Sequence, residues 1–335
     1  MKLDFNDLLI VPKETSNIQS RSEVSPFYGS SLPLFTAPMD TVICPESYWF
    51  FKMCKVRSCF PRNTLVTYFN DFGKSFYSYS ISEMREKLEK KDFESFQSYN
   101  IDIANGHMQV LVDLIRDIKN EFPVMKLMVG NIANPKTFSI LSEAGADYIR
   151  VGIGNGGGCL TTQNTGVGYP MASLVRECYE ESLKLTKPAK IVADGGMKSY
   201  DDVIKALALG ADYVMLGSIF NKALESAGDN YLWKRIRVSR KWAERAFRLK
   251  IPVYKMFRGM STKEVQRKWG AKNIKTSEGV VRFRKVEYTL QQWCENFEDY
   301  LRSAMSYSNA KTLGEFIGYA DLVDISNNAY KRFNK

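Results

Sequence analysis

Histidine is nearly missing from this chain: His107 is the single one in 335 residues. That scarcity excludes a histidine-built metal cluster and leaves acid–base chemistry to carboxylates, hydroxyls or that one imidazole. His107 follows Asn105-Gly106 at an expected helix start and reads as structural. Cysteine occurs six times, at Cys44, Cys54, Cys59, Cys159, Cys178 and Cys294, with no C-x-x-C pair and no histidine at ligand spacing. Neither a disulfide framework nor a zinc site is indicated, so the thiols are expected to be reduced. Long apolar runs are lacking, and Met1 to Phe5 lacks the charged-then-apolar layout of a secretion signal. A cytoplasmic protein that does not enter membranes is expected.

What is present is an ordinary globular composition, 44% hydrophobic, with a net charge of +10. The charge favours anionic ligands without naming one. Much of it lies in Lys234 to Arg248, which is expected to form a helix with Trp233, Ile236, Arg240, Ala243 and Phe247 along one side. A solvated basic face over an apolar stripe explains that segment more simply than nucleic-acid binding.

Apolar, β-rich runs recur along the chain. Eight are expected as strands: Leu34 to Pro38, Val56 to Phe60, Ser75 to Tyr79, Tyr99 to Ile103, Lys126 to Val129, Tyr148 to Val151, Ile191 to Ala193 and Tyr213 to Leu216. Helical patterns follow several of them, at Met108 to Asn120, Pro135 to Ala144, Met171 to Lys184 and Tyr200 to Leu209. Eight β/α units within about 220 residues fit a (β/α)8 TIM barrel. An open doubly wound sheet is the structural alternative.

In a barrel the chemistry gathers at the carboxyl ends of the strands. Polar and glycine residues lie there: Asp40, Asp102 with Asn105-Gly106, Gly130-Asn131, Asp194-Gly195-Gly196 and Gly217-Ser218. The last two pairs follow expected strands seven and eight, where backbone N–H groups often bind phosphate. Asp194 either caps the next helix or suits two ribose hydroxyls.

The stretch Gly152-Ile-Gly-Asn-Gly-Gly-Gly-Cys159, running on to Pro170, is hardest to explain as packing. Its glycines forbid a helix and a packed core, and expose one thiol to an approaching ligand. Gly152, Gly154 and Gly157 spell a literal G-x-G-x-x-G, but thirteen residues separate the motif from the helix expected at Met171. A dinucleotide fingerprint opens directly into a helix, so this is a different construction.

With Cys159, Asp194-Gly195-Gly196, Val214 to Ser218 and Arg258-Gly-Met-Ser261 in one frame, the chain resembles the IMP dehydrogenase and GMP reductase family. The likeness runs from Lys2-Leu-Asp-Phe5 and Ser20 to Val24, through Ala37-Pro-Met-Asp-Thr-Val42, to the final helices. It implies one barrel domain over 1–335 with an N-terminal extension, a C-terminal helical segment and an active-site flap at about 258–285. About sixty residues separate Met39 from Asp102, leaving no room for the paired CBS regulatory domain inserted in most dehydrogenases. Thr276-Ser277-Glu278-Gly279 is similar to the reductase segment, and the Arg-Tyr dipeptide used by dehydrogenases is missing, whereas Ala37 to Val42 has the dehydrogenase spelling.

The resemblance implies NADPH-dependent reductive deamination of GMP, or a related guanine nucleotide, to IMP and ammonia. Cys159 would add to the purine C2, and Thr161 and Glu278 would relay protons. Asp194 would hold the ribose, and Gly195, Gly196, Gly217 and Ser218 the phosphate. Met260, Ser261, Lys275, Ser277 and Gly279 match positions near the base. Asp102, Asn105, Ser80 and Ser82 match the nicotinamide side, and the carbonyls of Gly154, Gly156 and Cys159 match a monovalent-cation site, potassium being the expected ion. A homotetramer is implied as well. Departures are Gly157 for a serine, Leu160 for a threonine, Lys275 for an arginine, and Pro61 to Asn70 in place of a histidine-bearing segment. They leave room for a modified or deoxy nucleotide substrate or an altered cofactor preference; an IMP dehydrogenase, and a barrel that binds nucleotide or nucleic acid without turnover, are the alternatives.

Overall fold

The computed structural model describes residues 1–64, 75–93, 98–268, 276 and 279–333. In chain order the strands are β1 (Leu8–Val11), β2 (Leu34–Thr36), β3 (Cys59–Phe60), β4 (Phe76–Tyr79), β5 (Ser98–Asp102), β6 (Lys126–Ile132), β7 (Tyr148–Val151), β8 (Lys190–Asp194), β9 (Tyr213–Leu216), β10 (Asn230–Leu232), β11 (Ile236–Val238), β12 (Val253–Arg258), β13 (Val281–Lys285) and β14 (Asp321–Asp324). Strands β2 to β9 form one parallel sheet, ordered β2-β9-β8-β7-β6-β5-β4-β3. Its two ends meet where Thr36 N–H donates to the Arg57 carbonyl and Arg57 N–H to that of Leu34, both at 3.0 Å. The sheet therefore closes into a (β/α)8 barrel, and all eight expected strands lie in it.

The covering helices arise where period and caps agree. Gln109–Glu121 buries Leu111, Leu114, Ile115 and Ile118, a spacing of three, four and seven that puts them on one face. Each such buried side chain contributes roughly 1.5–3 kcal/mol relative to exposure. Pro135–Glu143 starts at Asn134, whose side chain accepts the Lys136 N–H, with proline at the first helical position. Met171–Ser182 and Tyr200–Ala208 follow β7 and β8. Leu290–Tyr307 lies against the barrel through Trp293, which stacks on Tyr200 at 5.1 Å.

Inside the barrel, side chains stack in layers. At the amino end of the strands the Arg57 guanidinium is boxed by the rings of Phe35, Phe76, Tyr148 and Tyr213, 4.8–5.8 Å from each, and it donates to the Tyr148 hydroxyl. Cys59, Met128, Val192 and Met215 fill the interior with these rings. Asn100 Nδ2 donates to the Ser78 hydroxyl at 2.8 Å. The interior is packed, and any cavity must lie at an end.

Two local expectations are corrected. Lys234 to Arg248 is not one helix: β10 and β11 form a hairpin whose turn places Trp233 and Lys234 at positive φ, and only Arg240–Arg248 is helical, starting at the Ser239 cap. The turn breaks the helical period, so Trp233 and Ile236 are exposed while Ala243 and Ala246 are buried. The residues after Leu160 are not all loop, because Thr161–Thr165 forms one helical turn, ended by Gly166 at φ 73. Beyond the barrel, β11-β10-β12-β13 make an antiparallel sheet, and β1 pairs with β14. No described helix is long and apolar enough to cross a membrane.

Candidate functional site

The carboxyl ends of the strands surround a cavity of about 340 Å³, within the range of small-molecule sites. Cys159, Thr161, Asp102, Asp194, Gly195, Gly196, Gly217, Ser218, Met260, Ser261, Gly154 and Gly156 all line it. They come from β5, β7, β8, β9 and the segment after β12, so the fold brings together residues up to 159 positions apart, from Asp102 to Ser261.

Cys159 sits on the loop after β7. The loop turns sharply, with the Cys159 N–H donating to the Gly156 carbonyl at 2.9 Å, and then starts the short helix at Thr161. That brings the Cys159 thiol within 3.1 Å of the Thr161 hydroxyl. The start of the loop is pressed against β8, since a Cβ on Gly152, at φ +135, would come 2.3 Å from the Asp194 carbonyl oxygen. On its far side the loop is clamped by the residues ahead of β13: the Val280 N–H donates to the Gly158 carbonyl, and Cys159 bridges Gly279. The loop is thus held on two sides while Cys159 remains partly accessible.

Arg150, on β7, organises the floor. It is 6% exposed, with Nη1 2.6 Å from Asp102 Oδ1 and with Nη2 and Nε 2.8 and 3.0 Å from Asp194 Oδ2. Burial alone would disfavour its charge, yet Asp194 and Asp102 hold its pKa above the ordinary value. Asn131 adds a further bond to Asp194 Oδ2 at 2.8 Å. Asp194 Oδ2 is saturated, whereas Oδ1 takes no hydrogen bond from a described residue, and Asp194 is not the cap of the helix after it. Arg62 donates to the Asp102 carbonyl and so braces the same corner.

Gly195 and Gly196, at φ +90 and +88, turn the chain after β8, and the Gly196 N–H donates to the Asn155 carbonyl at 3.1 Å. Arg258 at the end of β12 pairs with Asp40 at 2.5 Å and with Glu264, fastening the base of the flap to the loop after β2.

Other expected residues lie elsewhere. Ser80 caps the helix Ile81–Lys90 in a reciprocal box with Glu83, Ser82 bonds to Ser80, and neither lines the cavity. Asn105 accepts the His107 N–H. His107 Nε2 accepts the Ala133 N–H at 3.1 Å, and so Nδ1 carries the proton shared with Thr137 Oγ1 at 2.8 Å. Both ring nitrogens join loops, in keeping with a structural role. Lys275, Ser277 and Glu278 lie outside the described residues. All six cysteines are free, and burial pushes Cys59 up to about 12. The described residues hold no His/Cys/Asp/Glu cluster suited to a metal.

Sequence reasoning did not select Arg150 or Arg62. Arg150 left a usable sign, being a charge in a strand that a barrel buries on both faces.

Comparison with known proteins gives one consistent picture. A family model for the IMP dehydrogenase / GMP reductase domain matches residues 82–333. GMP reductase 2 of Bos taurus is 33% identical over 83% of this chain and 81% of its own length. GMP reductase 2 of Homo sapiens is 31% identical over 94% of this chain and 92% of its own. A shorter stretch of 134 residues, 40% of this chain, is 42% identical to inosine-5'-monophosphate dehydrogenase of Chlorobaculum parvum, covering 27% of that protein. The cysteine-bearing glycine loop, the Arg150-centred carboxylates and the glycines that follow β8 and β9 therefore stand on a chain that belongs to the IMP dehydrogenase/GMP reductase family.

Proposed function

We propose that the protein is an oxidoreductase of the GMP reductase type, which deaminates a guanine nucleotide reductively at C2. The observation that carries this reading is the Cys159 thiol, 3.1 Å from the Thr161 hydroxyl at a cavity whose other walls are Asp194 and the glycines after β8 and β9. The Cys159 sulfur bonds to the purine C2, the C2–N bond breaks, and the amino group leaves as ammonia after taking a proton. Thr161 passes that proton, and Glu278 is the expected partner in the relay. The hydride that C2 needs would come from a reduced nicotinamide, and Cys159 would then leave C2 as the thiolate, the C2–S bond breaking as the C2–H bond forms. Asp194 Oδ1, which takes no bond from a described residue, accepts from the ribose, while Gly195, Gly217 and Ser218 face the phosphate.

The nicotinamide side is assigned to Asp102, Ile103 and Ala104, which line the cavity on β5, four strands around the barrel from β9. Their mix of one carboxylate and apolar surface fits a carboxamide-bearing ring. NADPH is the proposed form. The carbonyls of Gly154, Gly156 and Cys159 suit a monovalent cation such as potassium, hard oxygen donors being what that ion takes.

The local 42% identity to a dehydrogenase favours a second reading, oxidation of IMP to XMP with NAD. One assay separates them. Purified protein with GMP and NADPH should lose nicotinamide absorbance and form IMP. Turnover of IMP with NAD and none of GMP would replace the first reading by the second, and no turnover of either would leave a binding protein. Glu278→Gln should abolish ammonia release from GMP.

A further inference from the structure

The inner face of the β12–β13 hairpin carries two basic side chains in register, Lys255 opposite Arg284. Their surroundings differ. Lys255 is buried and donates to the carbonyls of Ser226 at 2.5 Å and Gly228 at 3.3 Å. Arg284 has no hydrogen-bond acceptor or carboxylate partner among the described residues, and its Nε is fully buried. Its guanidinium lies 4.8 Å over the Phe257 ring. Phe257 in turn supports the cysteine loop, since a Cβ on Gly158 would come 3.0 Å from Phe257 Cε1.

The free end of Arg284 points to one place. A Cβ on Gly157 would lie 2.8 Å from Arg284 Nη2 and 3.7 Å from Ser218 Cβ. The guanidinium therefore occupies the corner between the cysteine loop and Gly217-Ser218, and it does so because residue 157 has no side chain. Burial, and then Arg282, lowers the Arg284 pKa, and the attraction of Glu287, which forms no ion pair with it, does not offset them. Such a charge is costly unless an anion completes it, and a planar fork of N–H donors matches the oxygens of a phosphate monoester.

Resting on the reading of this cavity as a nucleotide site, we infer that Arg284 is a phosphate-binding residue, delivered from the flap hairpin into the space left open by Gly157. The substrate class is then a nucleoside monophosphate, held from two sides: the loop glycines below and a guanidinium above. Nucleosides are poor ligands because they leave Arg284 without its anion. Gly157 and Arg284 act as a pair, each position being useful only with the other as it is.

Calorimetric binding of GMP, guanosine and ribose 5-phosphate to the parent protein, Arg284→Gln, Gly157→Ala and the double variant tests this. A charged hydrogen-bond pair contributes on the order of 1.5–3 kcal/mol, which corresponds to a loss of about 10- to 100-fold. Arg284→Gln should lose that factor for GMP and ribose 5-phosphate and leave guanosine unchanged. Gly157→Ala should weaken GMP binding in the parent and add nothing in the Arg284→Gln background, the non-additivity of a coupled pair. Because Arg284 makes no hydrogen bond with a described residue, Arg284→Gln should also keep a single cooperative thermal transition, its Tm lowered only by the lost contact with Phe257. The inference is overturned if GMP affinity is unaltered in Arg284→Gln, if guanosine falls equally, or if the parent binds neither phosphate compound. Failure of the functional reading looks different: ribose 5-phosphate binding that depends on Arg284, together with no turnover of GMP. Turnover of GMP with an unchanged KM in Arg284→Gln would instead retain the function and remove the inference.

Discussion

Gly130 stands beside Arg150 in adjacent strands, and a Cβ on Gly130 would lie 2.5 Å from the Arg150 Cβ. The missing side chain is what lets the guanidinium cross β6 to Asp102. Arg150→Met should leave Asp194 without its cation at the floor of the cavity, and Asp102 with Arg62 alone, 3.8 Å away. A loss of about 3–5 kcal/mol is expected, the cost of breaking a buried pair on one side. Urea denaturation measures it, and a loss below about 1 kcal/mol would mean that the network is solvent-stabilised. Gly130→Ala should weaken the fold in the same direction, because backbone at φ +154 and the Arg150 side chain both oppose a methyl group.

Cys159 and Thr161 form the second test. Cys159→Ala should retain nucleotide binding and lose turnover, while Thr161→Val should lower kcat by about 10²- to 10⁴-fold, the usual contribution of a positioned proton-transfer group. Thr161→Ser keeps the hydroxyl and should keep most of the rate. Steady-state kinetics with parallel binding measurements decide the matter. A Cys159→Ala variant as fast as the parent would remove covalent chemistry from this site.

Lys255 makes stability depend on alkaline pH. Burial lowers its pKa to about 7, against 10.5 for an unperturbed lysine. The unfolded chain therefore holds the extra proton between those values, so its contribution is complete above about 10.5 and is lost as pH falls towards 7. Stability difference curves between the parent and Lys255→Met, taken by denaturant titration from pH 7 to pH 10, should diverge with a positive slope for the parent. Parallel curves would show that the ammonium stays charged on its two carbonyls.

His107 acts on the acid side. Burial lowers its pKa below 6.5, and Nε2 must stay unprotonated to accept the Ala133 N–H. A depressed value means stability that is present above 6.5 and is lost as pH falls through the folded-state pKa. His107→Gln should flatten that part of the stability profile, measured as Tm against pH. Identical acid limbs in the two proteins would show that the imidazole does not contribute.

The barrel was legible because its strands are short β-rich runs separated by capped, amphipathic helices, and because strands such as Tyr148–Val151 and Tyr213–Leu216 end in glycine-bearing loops. The cavity was legible for the same reason, since Cys159, Asp194 and Gly217 stand at those ends. What the sequence hid depends on contacts between distant segments. Arg57 looks like a charge in a strand until four rings close around it, and Arg150 reads as an interruption until Gly130 makes its path visible. The hairpin at Asn230–Val238 was concealed by lysines and arginines that suit a helix equally well, the decision resting on two residues at positive φ. The Ser80 hydroxyl stands at a strand end as well, and its oxygen accepts a helix N–H, a local role that the sequence around it also spells.

The Thr36–Arg57 seam sets where the cylinder first comes apart. Two backbone hydrogen bonds join β2 to Arg57, two positions before β3, and β3 itself is only two residues long, whereas β5 and β6 are matched over five positions. Amide deuteration under native conditions should therefore reach Thr36 and Arg57 before Ile101 and Val129, with the molecule unrolling from that edge as a curved ribbon whose far strands stay zipped.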